Sequence, residues 1–452
     1  MRVVIGGDEE TAVPLAEALM ATHEVVIVAD EGFPRARLDR LDVEFVAGSI
    51  SSPDALTRAG AAHASFFVAC AREDERNLIA SVTAKRLGAE KTVGLFRRPE
   101  YVRPLVRGEA SIASAFGIDT VIWPAERLAR EIVQIVSVPG ALDVEVLEGG
   151  RVRMRKYPVE AGARFAGKTL REAGVPRGVV LVGHRRAGGF SLPRGDTRLE
   201  PGDKVIAMGD LDGLDRLAAS VLRGDADRGG GVTVIGGGTV GQRVAHGLAE
   251  AGGREIKIIE SDRARCEELA SALPGALVLC GSGTDTDLLE SERVDLSRVL
   301  VAVTDNDEKN LLVSLLARQL GVARIVTRAG SIPNERLFER VGIDVVRSAR
   351  GSAVRAVVDQ ITGGRSGLRA EVEHGEARIV EMTVPVSWDP VRLERLHLPV
   401  FAIVGAIVRD GRTIIPRGGD EIRGGDRVLV FCEQASEASM RHVLSRPKAP
   451  EV

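Results

Sequence analysis

The chain has 452 residues, with 61 basic and 64 acidic side chains and a net charge of −3, so its overall charge gives no reason to bind nucleic acid or an anionic membrane surface. An apolar fraction of 44% excludes a disordered chain, and the length predicts about two to four domains. Aromatic residues are only 3%, which leaves the cores to Val, Ile, Leu and Ala. The longest apolar run, residues 400–408, ends at Arg409 and falls short of the roughly 18 residues needed to cross a bilayer. The opening MRVVIGGDEE does not fit a signal peptide. Cys70, Cys266, Cys280 and Cys432 have no CxxC spacing and read as small buried residues of a reducing compartment rather than a redox or metal site. No two His stand three or four residues apart, so no metal site is expected.

In chain order, residues 3–30 form a strand, a Gly-containing turn, a helix and a second strand ending in Asp30. FFVACAREDERNLIASVTAKRLGA at 66–89 continues this alternation up to a boundary near Ser137. Polar and apolar residues then alternate around a PRGD…GD hairpin at 191–209, and RGDADRGGG at 223–231 reads as a linker. After it the pattern repeats. Gly6 and Gly236 stand 230 positions apart, as do Asp30 and Glu260; Asn77 and Asn310 are 233 apart, and Pro193 and Pro416 are 223 apart. Within the second copy, strands are expected at 232–236, 255–260, 277–280, 298–304 and 324–328, with a helix at 309–320 carrying Leu311, Leu312, Leu315, Leu316 and Leu320. Residues 370–386 and 402–432 read as a small antiparallel cap, with a boundary near Gly363.

The expected fold is therefore α/β, with two Rossmann-like doubly wound parallel-sheet domains, each followed by a small α+β domain: 1–137, 138–222, 231–363 and 368–446. Gly236, Gly238 and Gly241 form GxGxxG between a strand and a helix, the context in which this motif binds a dinucleotide rather than forming a mere turn. Glu260, 19 residues past Gly241, is placed for ribose hydroxyls and against a 2′-phosphate. Gly281 and Ser282 follow the third strand of that copy and are candidates to lie against the base. Thr304, Asp305, Asn306 and Asn310 follow the fourth, as ligand contacts, as a helix cap, or as both. Arg328 is either a solvated charge or a phosphate or interface contact. The first copy departs from the motif: Asp8, Glu9 and Glu10 stand in its turn and would repel a pyrophosphate by about 4 kcal/mol per close pair.

Tandem modules with GxGxxG, GSGTD, TDNDEKN and the repeated PRG(G)D…GD hairpin resemble the TrkA family over roughly residues 1–446. The resemblance implies a cytoplasmic regulatory subunit of a Trk-type potassium uptake system, built from two RCK modules and bound to the inner membrane face through a membrane-embedded transport protein. It also implies NAD(H), ATP or ADP as ligand, held by Gly236, Gly238, Gly241, Glu260, Gly281, Ser282, Thr304 and Asp305. A homotetramer would close a ring of eight modules. The apolar stripes Leu128, Ile132, Ile135, Val136 and Val354, Val357, Val358, Ile361 would then belong to crossover helices joining modules, or else pack on their own domains. The competing class, an NAD-dependent oxidoreductase, requires an acid or base at the nicotinamide, and the two Tyr and scattered His form no recognisable constellation.

Overall fold

A computed structural model describes residues 1–107, 111–223, 230–252, 254–362, 368–372 and 376–446. Most of the expected linker, the boundary at Gly363 and part of the 370–386 segment lie outside the described residues. The chain forms two compact units, each assembled from separated segments: Met1–Val133 with Gly230–Ile361, and Gln134–Gly229 with Thr362–Val452.

The first unit holds two parallel six-stranded sheets. In one, β1 (Arg2–Gly7), β2 (Glu24–Ala29), β3 (Glu44–Ala47), β4 (Phe66–Cys70), β5 (Lys91–Leu95) and β6 (Thr120–Ile122) lie in the order 3-2-1-4-5-6. In the other, β7 (Val232–Ile235), β8 (Ile256–Glu260), β9 (Ala276–Cys280), β10 (Val299–Ala302), β11 (Arg324–Ala329) and β12 (Val345–Ser348) repeat that order. The strands are short apolar runs because helices cover both faces of a parallel sheet. In each sheet the strand order reverses beside the first strand, and the crevice beyond the strand ends at that point is where doubly wound sheets place ligands.

The helices that matter for the site are α1 (Glu9–Leu19), α2 (Asp74–Leu87), α3 (Pro124–Ser137), α4 (Thr239–Ala251), α5 (Arg263–Ala272), α6 (Asp307–Gln319) and α7 (Ala349–Thr362). Helix α6 buries Asn310, Val313, Ser314 and Ala317; of its leucines, Leu311, Leu316 and Leu320 pack partly buried against the core, while Leu312 and Leu315 are exposed. Small residues face the sheet because they let the helix approach it closely. The equivalent α2 likewise buries Asn77, Ala80, Ser81 and Ala84 and exposes Ile79.

Contacts within this unit join the two helices that carry the apolar stripes. Glu131 on α3 accepts hydrogen bonds from Ser352 Oγ at 2.9 Å and Arg355 Nη2 at 2.6 Å on α7. The Arg243 guanidinium of α4 lies 3.7 Å from the Trp123 ring centroid and pairs with Glu126. All eight stripe residues are buried.

The second unit contains two antiparallel five-stranded sheets. One is built on Val152–Pro158, Val179–Arg186 and Lys204–Gly209, the other on Ala377–Thr383, Ala402–Arg409 and Arg427–Glu433. They share a core in which Val152, Met154, Ile206 and Met208 meet Ile379, Ala406, Leu429 and Phe431. Each PRG(G)D…GD hairpin ends in an aspartate locked by an arginine. Asp203 takes Arg186 Nε at 2.8 Å and His184 Nε2 at 2.9 Å, and Asp426 takes Arg409 Nε at 2.7 Å. Burial alone would raise the Asp203 carboxyl, but the hydrogen bonds from Arg186 and His184 outweigh it and hold it well below the usual carboxylate range. A carboxylate depressed in the folded state stabilises fully above its unfolded value and loses that contribution as pH falls toward its folded value. Asp203→Asn is therefore expected to lose about 1.5–3 kcal/mol at neutral pH, the weight of a charge-assisted hydrogen bond, and to show a shallower fall in stability between pH 5 and 2 than the parent. Urea titrations across that range measure both.

Candidate nucleotide site

At the switch point of the second sheet the strand β7 ends in Gly236, whose φ of +99° suits glycine and turns the chain into α4. A β-carbon on Gly241 would lie 1.8 Å from the Gly236 carbonyl oxygen, so the helix can approach the strand only with hydrogen at that position. The N-cap of α4 is Gly238, which offers no side chain to the first-turn amides. Those amides and the helix dipole are left for an external anion.

Next to this turn, Glu260 at the end of β8 is buried. Its carboxylate accepts from Gly237 N at 2.6 Å and from Asp262 N at 2.9 Å. A carboxylate has about four acceptor positions, so capacity remains for ribose hydroxyls. Ser282 is shaped by its own turn, with Oγ 2.8 Å from Thr284 Oγ1. Asn306 proves to be the cap of α6, accepting from Lys309 N at 2.7 Å. Asn310 is consumed structurally: it accepts from Thr304 N at 2.9 Å and donates to Thr304 O at 3.1 Å and Arg328 O at 3.0 Å. Arg328 is not a solvated charge; its Nη1 donates to Thr304 O at 3.0 Å, and burial lowers its pKa.

These elements enclose a cavity of about 800 Å³, within the range of small-molecule sites. Of the residues singled out in the sequence, Gly236, Gly238, Glu260, Gly281, Ser282, Thr304, Asp305 and Arg328 line it; Gly241 lies behind Gly236, and Asn306 and Asn310 support the wall. Acids and cations are distributed across the switch point. Glu260, Asp262 and Glu268 stand on the β8 side with Arg265, whereas Lys309, Arg328 and Arg350 stand on the side of β10, β11 and β12 with Asp305. Sequence reasoning missed Thr11, Arg97, Pro124 and Ala125, which reach this cavity from the first copy; no spacing rule links positions so far apart.

The first copy's own crevice is built differently. The Asp8 carboxylate caps α1 by accepting from Thr11 N at 3.1 Å, taking the place of an external anion. Asp30, the counterpart of Glu260, is exposed and pairs with Arg76 at 2.9 Å. Cys280 also departs from expectation: it is exposed, whereas Cys70, Cys266 and Cys432 are buried. As the last residue of the edge strand β9, it has no further strand to cover it.

Fold and site together define a tandem protein in which two Rossmann-like domains, the second with an intact dinucleotide-type glycine turn, alternate with small antiparallel α+β domains. No helix among the described residues is long and apolar enough to cross a membrane. The TrkA-N domain profile matches residues 3–124 and 232–349, and the TrkA-C domain profile matches 154–221 and 379–445. The chain belongs to the TrkA family. It is 34% identical over 434 residues to a Trk system potassium uptake protein TrkA homolog of Archaeoglobus fulgidus, covering 96% of this chain and 97% of that one. It is 27% identical to the TrkA protein of Haemophilus influenzae, covering 99% of each. Among solved structures, the GsuK RCK domain superposes with a TM-score of 0.59 at 19% identity, covering 98% of this chain and 94% of that one. A GsuK channel bound to NAD superposes with a TM-score of 0.59 at 20% identity, covering 98% and 78%. At these identities the structures establish the shared fold.

Proposed function

We propose that this chain is the cytoplasmic regulatory subunit of a Trk-type potassium uptake system, in which an adenine nucleotide, NAD(H), ATP or ADP, bound in the second Rossmann-like domain controls ion flux through a separate membrane protein. The observation that carries this reading is the pairing of an uncapped α4 N-terminus with the buried Glu260 carboxylate in one cavity. The first suits a pyrophosphate and the second a ribose. Gly236, Gly238 and Gly241 shape the phosphate turn, Gly281 and Ser282 take the adenosine side, and Thr304 and Asp305 close the opposite wall. The ligand acts as an effector rather than as a redox substrate, in keeping with family membership.

The protein assembles as a homotetramer whose eight modules form a ring. Leu312 and Leu315 on α6, with Leu337 and Val341 on the following helix, Ile332–Arg340, and its C-cap, supply exposed apolar surface for a neighbouring chain. Light scattering should give about four times 48.1 kDa. Co-expression with a Trk-type transport protein should give a complex whose potassium flux changes 5- to 150-fold with nucleotide, the usual range of coupling free energies of about 1–3 kcal/mol. A strictly monomeric protein, flux indifferent to every adenine nucleotide, or substrate-dependent NADH oxidation above a heat-inactivated control would refute this reading.

A further inference from the structure

The three acids in the first copy's turn remove that copy's phosphate cradle, yet they are not idle surface charges. Asp8 pairs with Arg97 Nη2 at 3.4 Å, and Glu10 pairs with both Arg350 and Arg72, the latter at 3.2 Å. Arg97 and Arg350 both line the cavity of the second copy. Arg350 is further anchored by donating to Gly330 O at 3.1 Å. Thr11 occupies the position equivalent to Gly241 and also lines that cavity. Its Oγ1 is buried without a hydrogen-bond partner, although its residue is only 1% exposed. A buried hydroxyl left unpaired at a cavity wall is costly unless a ligand or water satisfies it.

We propose that the first copy's altered turn is part of the second copy's ligand site. Asp8 and Glu10 position Arg97 and Arg350 at the cavity wall, Thr11 offers a hydroxyl, and together they set the preference among nucleotides by the charge of the phosphate tail. This rests on the nucleotide reading above and deepens it. Arg97, Lys309, Arg328 and Arg350 line the cavity, with Asp305 as the acid among them. A nucleoside triphosphate carries a free, multiply charged terminal phosphate and must compete with Asp8 and Glu10 for the two arginines. A dinucleotide has only an internal pyrophosphate, and in its oxidised form a cationic nicotinamide, so it competes weakly. The acids therefore hold down triphosphate affinity and leave the dinucleotide nearly untouched, and a triphosphate that wins the arginines loosens the ion pairs joining the two copies.

The test is calorimetric titration of the full chain with ATP and with NAD. In Asp8→Asn/Glu10→Gln, ATP binding is expected to tighten about tenfold, the weight of one charge-assisted hydrogen bond, while NAD affinity changes by less than about threefold. In an Arg97→Gln background the gain from Asp8→Asn should vanish, since the acid acts through that arginine. Thr11→Val should weaken both ligands and Thr11→Ser should restore them. Glu10→Gln alone, at an exposed position, serves where the double variant fails to fold. An unchanged ATP-to-NAD ratio, or an Asp8→Asn gain that survives loss of Arg97, overturns the proposal while leaving the nucleotide site standing. A parent chain that binds neither ligand removes the nucleotide reading first, and this proposal with it.

Discussion

Gly241→Ala is expected to abolish nucleotide binding and to cost about 3 kcal/mol or more of stability, in the upper range for overpacking a closely packed position. The added methyl would sit 1.8 Å from the Gly236 carbonyl oxygen and 3.4 Å from Val303 Cγ2. The obstacle is backbone, not the end of a flexible side chain, so relief requires α4 to move away from β7. That movement carries the Gly238 turn and the first-turn amides out of the cavity wall. Thermal unfolding and titration with ATP, ADP and NAD read both effects; a variant with the parent melting temperature and affinity would show that the close approach is unimportant. The first copy tolerates Thr11 at the equivalent position because its turn is routed differently: Gly236 has a positive φ, and Gly6 does not.

Glu260→Ala is expected to weaken adenine-nucleotide binding at least about tenfold, since a hydrogen bond to a charged partner contributes about 1.5–3 kcal/mol. The carboxylate does two things at once. It fixes Gly237 N and Asp262 N in the turn, and its remaining acceptor capacity faces the cavity it lines. Alanine loses both roles and leaves two amides without their acceptor, while glutamine keeps one acceptor oxygen and should fall between alanine and the parent. Titration of the three proteins checks the order. Equal affinity in the alanine variant would sink the assignment of Glu260 to the ribose. Loss of folding in alanine but not glutamine would separate the structural role from the binding role.

The repeat itself was legible because each βα unit satisfies local rules: apolar runs for strands between two helix layers, glycines where the turn is tight, and an acid at the end of the second strand. Family membership follows from the same signals, which fill nearly the whole chain. Which of the α6 leucines would be covered was not legible, because periodicity reports that a helix has an apolar side without saying what covers it. Here the sheet accepts the small face with Asn310, Val313, Ser314 and Ala317, Leu311, Leu316 and Leu320 flank it, and Leu312 and Leu315 turn outward. Asn310 and Arg328 were ambiguous for a related reason: a polar side chain at the end of an element caps, braces or binds according to which carbonyls lie within about 3 Å, and here those carbonyls belong to Thr304 and Arg328, brought close by the fold.

The amino-acid sequence by itself determined the fold class of each part, the intact glycine turn with its acid, and the loss of that turn in the first copy, since each is set by residues within a few tens of positions of one another, and the duplication, since two such local patterns can be compared directly. Only the tertiary structure decided that like domains gather into common units, with both parallel sheets in one and both antiparallel sheets in the other. It also decided that Thr11 and Arg97 of the first copy line the second copy's cavity, and that Asp8 and Glu10 are held by Arg97 and Arg350. The physical reason is that burial of apolar helix faces and pairing of charges act through space. The free energy of such contacts does not depend on how much chain separates the partners, so no local pattern announces them.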